Sequence, residues 1–140
     1  MSLDLARLII DFGFMILIWA VQLVIYPSFG FYNETNLIQW HKKYTKRVTV
    51  IVLPLMTAQL ILALIQVFQK LNWYSIVSIL IIGVLWLITF KVFVPLHMSI
   101  DLEKPEKNVC SKLVNKNWVR TFLWSSLFII SLVYYLFFQK

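Results

Sequence analysis

The chain has 140 residues, of which 61% are hydrophobic and 14% charged. A soluble domain carries roughly 25% charged residues, so the composition excludes a soluble protein and leaves a single membrane domain over the whole length. The net charge is +7, but the cations flank apolar segments as membrane-border residues do. That placement points to the lipid bilayer as partner and away from nucleic acid.

A helix needs about 20 apolar residues to cross about 30 Å of hydrocarbon. Four segments have that length: Leu8 to Tyr26, Val48 to Phe68, Ser75 to Val94 and Val119 to Phe138. Unpaired strands would leave backbone groups unsatisfied in lipid. The expected fold is therefore all-α, a four-helix transmembrane bundle. Arg7 precedes the first run, but Asp4 and Asp11 dilute the positive region and no A-x-A-like site follows. The segment reads as a retained membrane helix rather than a signal peptide.

Lys and Arg set the orientation. Ten of the 13 cations fall beside the loops around residues 27–47 and 95–118. They are Lys42, Lys43, Lys46, Arg47, Lys91, Lys104, Lys107, Lys112, Lys116 and Arg120, on what is called side A. Side B receives Arg7, Lys70 and Lys140. The bias places side A in the cytoplasm and both termini outside, as in a multi-pass protein of a bacterial inner (plasma) membrane.

In the first span Trp19, Gln22 and Tyr26 are spaced for one helical face, and Pro27 and Gly30 are expected to stop the helix. Gln22 lies inside the interface and needs an internal partner. Asp11 is expected to reach the interface on side B, with an ion or proton role as the alternative. Asn33 is a candidate cap for a second helix running from about residue 34 to residue 69. On it His41, Tyr44, Thr45 and Val48 share a face, while Lys42, Lys43 and Lys46 point towards solvent and lipid phosphates. Pro54 is expected to kink this helix, and Gln59 to face another helix near the midplane.

The third span runs into Pro95, which ends or bends it; if the helix resumes, His97 and Asp101 are four apart and can meet. Cys110, the single cysteine, cannot form an intramolecular disulfide and reads as a free loop thiol. Asn117, Arg120, Thr121 and Trp124 make one stripe at the start of the fourth span.

Chain direction brings these helix ends to the same side of the membrane. A shared pocket on side A follows as an expectation, with His41, Tyr44, His97 and Asp101 as candidates for chemistry. Trp19, Gln22, Tyr26, Arg47, Asn117, Arg120 and Trp124 are the candidates for holding a ligand. Taken together, W-x2-Q-x3-Y-P, H-x2-Y-T-x-R, P-x-M, V-P-L-H and N-W-x-R-T-x2-W resemble the motifs of a family of small bacterial four-helix membrane proteins. The resemblance runs from Trp19 to Trp124 and implies a shared site. Where such proteins carry an acid in the second helix, this chain has Gln59, which weakens a midplane proton role.

Three functions fit these residues. The first is binding of an amphiphile, such as a quinone, an isoprenoid or a lipid headgroup, with arginine holding its polar head. The second is a membrane oxidoreductase in which His41 and His97 ligate a haem iron or, with Asp101, a non-haem metal. The third is a small oligomeric transporter built on Asp11, Gln59 and Pro54. A homo-oligomer or a place in a larger membrane complex is compatible with each.

Overall fold

The computed structural model describes residues 2–138; Lys140, one of the side-B cations, lies outside that range. Four helices make up the described chain: α1 (Leu3–Phe29), α2 (Glu34–Gln69), α3 (Trp73–Asp101) and α4 (Val109–Phe137). No strand occurs among the described residues. All four helices are long and apolar enough to cross a membrane. The expected four-helix bundle is the fold observed, and it fits a multi-pass membrane protein.

Local chemistry sets the helix ends. Ser2 accepts from the Leu5 amide at the start of α1, and Asn33 accepts from the Asn36 amide at the start of α2. At α3, Asn72 and Ser75 bond each other's backbone reciprocally, a capping box that satisfies two otherwise orphaned donors. The short connection between α2 and α3 makes them antiparallel neighbours. Each helix packs on the two adjacent to it in sequence, and α1 closes the ring against α4 along its length.

Polar side chains are buried within the apolar core, and apolar ones cover the surface. Arg7, Asp11, Gln22, His41, Gln59, Asn117, Arg120 and Thr121 are buried, whereas Ile16, Val24, Val50, Leu80 and Phe122 are exposed. Such a surface suits lipid, and polar groups inside a bilayer must find partners within the bundle.

Pro27 and Pro95 do not stop their helices. In each case one widened turn absorbs the proline: Val21–Ile25 and Thr89–Phe93 are π-helical. The Tyr26 amide bonds Val21 O and the Val94 amide bonds Thr89 O, both five residues back. Proline would clash with the carbonyl four residues earlier, Leu23 or Lys91, and the widened turn displaces it. Helix α1 therefore continues to Phe29 and α3 to Asp101. Pro54, expected to kink α2, sits within an unbroken α-helix.

Candidate functional site

Continuation past the two prolines gives α1 and α3 an extra turn each on side A, and these turns carry the polar site. Tyr26 and Phe29 come from α1, His41, Tyr44 and Thr45 from α2, and His97 and Asp101 from α3. Arg120 on α4 completes the set.

His41 is fully buried. Its Nδ1 lies 2.7 Å from Asp101 Oδ1, and its Nε2 lies 2.8 Å from His97 Nδ1. His97 Nε2 in turn lies 2.9 Å from the Tyr26 hydroxyl. Thr45 Oγ1 donates to the other oxygen of Asp101 at 2.9 Å. The expected pairing of His97 with Asp101 is thus replaced: His41 stands between them and bonds both. The two imidazoles lie nearly parallel, their centroids 5.0 Å apart and their planes 25° apart. Phe29, with no exposed surface, packs edge-on against both His41 and Tyr44.

Beside this chain is a cavity of about 300 Å³ between α2 and α3. Tyr26, Tyr44, His97 and Arg120 line its polar end, and Asp101 lies on its wall with a side chain 28% exposed. Val52, Met56 and Phe93 make its apolar wall. Thr49, Leu53, Phe90 and Met98 also line it and are exposed, so the cavity opens sideways between the two helices.

Arg120 is only 7% exposed. Its guanidinium lies over the Phe93 ring at 4.0 Å and near Trp124 at 5.4 Å. It faces the Tyr26 hydroxyl, its Nε has no hydrogen-bond partner, and no carboxylate among the described residues pairs with it. Cation–π contact offsets part of the desolvation of a buried cation, and an unpaired guanidinium remains costly.

Of the residues expected to hold a ligand, Tyr26 and Arg120 line the cavity; the others are engaged elsewhere. Gln22 accepts from Asn117 Nδ2 (2.9 Å) and Thr121 Oγ1 (3.2 Å) and donates to Val114 O, which clamps α1 to α4. Trp19 is half-exposed; its indole donates to Ser125 Oγ, and its ring meets Trp118 edge-on. Trp19 therefore does not share the buried face of Gln22 and Tyr26. Trp124 stacks on Phe14 and donates to Gln59 Oε1. Arg47 is exposed. At about 100° per residue it lies roughly 120° around α2 from His41, which turns it away from the inward face.

A further correction concerns side B. Asp11 does not reach the interface: it is fully buried and paired with Arg7 at 3.1 Å. Gln59 donates to its Oδ1 at 2.6 Å, Ser131 donates to its Oδ2, and Tyr74 meets Ser131 at 2.9 Å. Arg7 also donates to Gln66, which donates to Asp4. Residues of all four helices meet in this cluster. The spacing of Arg7 and Asp11, and of Gln59 and Gln66, carried the signal that polar groups inside apolar spans would pair.

For a metal, the donor set is constrained by its own hydrogen bonds. Every ring nitrogen of His41 and His97 is engaged. The nitrogens that face each other, His41 Nε2 and His97 Nδ1, share one hydrogen bond of 2.8 Å. Among the described residues no group of three or more His, Cys, Asp or Glu side chains is arranged around a common point.

No protein-family model, curated protein or solved structure matches the chain.

Proposed function

We propose that this protein binds a membrane amphiphile in the cavity between α2 and α3. Its oxygen-rich or anionic head sits against Arg120 and Tyr26, and its apolar part lies along Val52, Met56 and Phe93. The observation that carries this reading is Arg120, a buried cation on a cavity wall that forms no ion pair with a carboxylate among the described residues. Arginine matches phosphate and carboxylate oxygens with a planar array of donors, and an amphiphile head would supply the missing acceptors. The sideways opening supports entry from the bilayer, the phase in which quinones, isoprenoids and lipids reside. The excess of Lys and Arg supports placing side A in the cytoplasm.

Protein purified in mild detergent, extracted with organic solvent and analysed by mass spectrometry tests the proposal. Wild type is expected to release an amphiphile that Arg120→Gln does not retain. Identical extracts from the two proteins contradict the reading.

A further inference from the structure

The hydrogen bonds on side A have a direction. Thr45 Oγ1 donates to one oxygen of Asp101, and His41 Nδ1 lies 2.7 Å from the other; a carboxylate can only accept, so the proton of that second bond belongs to the ring. His41 Nδ1 then carries a proton, which leaves its Nε2 as an acceptor for His97 Nδ1–H. His97 Nε2 is in turn an acceptor for the Tyr26 hydroxyl. One set of tautomers satisfies three consecutive bonds of 2.7, 2.8 and 2.9 Å. The chain starts at a hydroxyl at the cavity's polar end and ends at Asp101 on the cavity wall, whose side chain is 28% exposed. Its interior member, His41, does not line the cavity and is covered by Phe29.

We propose that Tyr26, His97, His41 and Asp101 form a proton relay between the head of an amphiphilic weak acid in the cavity and water on side A. The proposal rests on the reading of the cavity as a binding site. The ligand's O–H bond breaks and its proton joins the Tyr26 oxygen, while the Tyr26 proton passes to His97 Nε2. The His97 Nδ1 proton passes to His41 Nε2, and the His41 Nδ1 proton passes to Asp101, which releases it to water. Each donor atom loses one proton, each acceptor gains one, and no electron moves. The ligand is left as its conjugate base opposite Arg120, whose charge offsets the one created. Rotation of the two imidazoles, or passage of a proton in the reverse direction, restores the starting tautomers. The class of ligand is accordingly an amphiphile whose head exchanges a proton, such as a phenolic or acidic oxygen, rather than a permanently charged or neutral one.

A dodecyl-substituted naphthol, whose hydroxyl becomes strongly acidic on excitation, tests both layers in protein held in phosphatidylcholine nanodiscs. Retention of the probe reports the cavity, and time-resolved naphtholate emission reports the relay. Wild type is expected to retain the probe and to deprotonate it. Asp101→Asn and His41→Gln are expected to retain it, since neither is placed against the ligand head, and to slow the transfer by at least about a hundredfold, the low side of typical acid–base contributions. Lys43→Gln is expected to leave the rate unchanged. Retention with an unchanged rate in both relay variants overturns the relay and spares the cavity; failure of wild type to retain the probe overturns the cavity reading and the relay with it. Solid-state nitrogen NMR of histidine-labelled wild type supplies a readout independent of variant folding. Both rings are expected as Nδ1–H tautomers, and an Nε2–H form of either resting ring contradicts the directed chain.

Discussion

Arg7 and Arg120 are both buried cations, but their charges are balanced in different ways. Arg7 has Asp11 at 3.1 Å and Gln66 as a further acceptor, whereas Arg120 has aromatic faces, the Tyr26 hydroxyl and a cavity. The first arrangement is closed and holds helices together; the second has room for a ligand. Removing one partner of a buried pair leaves the other charge uncompensated. Asp11→Asn is therefore expected to cost about 3–5 kcal/mol in stability, and replacing Arg7 and Asp11 together by apolar residues of similar size is expected to restore much of it. Unfolding in mixed detergent micelles measures both, and a double variant as unstable as the single one contradicts the account. The Lys42–Glu103 pair is a contrast. Its hydrogen bond holds the Glu103 carboxyl below its ordinary range, but both side chains are largely exposed and the pair adds little to stability.

At the scale of elements, the widened turns before Pro27 and Pro95 are what bring Tyr26 and His97 together. Each turn takes one residue more than an α-helical turn and so resets the face presented beyond it. This is why Trp19 departs from the face shared by Gln22 and Tyr26: a constant helical period does not hold across the turn. The start of α2 at Asn33 and its end near residue 69 were legible, because a cap and an uninterrupted apolar run leave local signatures. The persistence of helix past Pro27 was not, and past Pro95 it was one of two open alternatives, because it depends on ladder geometry that residue spacing does not record. Deletion of exposed Val24 together with Pro27→Ala removes the extra residue and the clash it relieves, and is expected to lower Tm by under about 5 °C. Deletion of Ile16, in the regular α-helical part, rotates the rest of α1 and is expected to cost much more. Thermal unfolding followed by circular dichroism compares them, and equal losses contradict the assigned role of the turn.

At the scale of the molecule, polar residues form two clusters inside an apolar shell. Topology alone indicated that His41, His97, Asp101 and Arg120 share a side. It could not reveal that His41 separates His97 from Asp101, nor that Asn117 donates to Gln22, since both depend on helix rotation. The second cluster was only partly legible: Gln59 was expected to face another helix, but a buried Asp11 needs two partners distant in sequence, Gln59 and Ser131. Trp124 stands between the clusters, donating to Gln59 and carrying Arg120 against its ring. An indole N–H donates and does not accept, so no proton path through it joins the two sides. The central claim is that Arg120 holds the head of an amphiphile, and calorimetric titration of dodecyl phosphate into nanodisc-held protein tests it most directly. Loss of a charge-assisted hydrogen bond costs about 1.5–3 kcal/mol, so Arg120→Gln is expected to bind roughly 10- to 150-fold more weakly than wild type. Equal affinity in the two proteins, or no saturable binding to wild type, contradicts the claim.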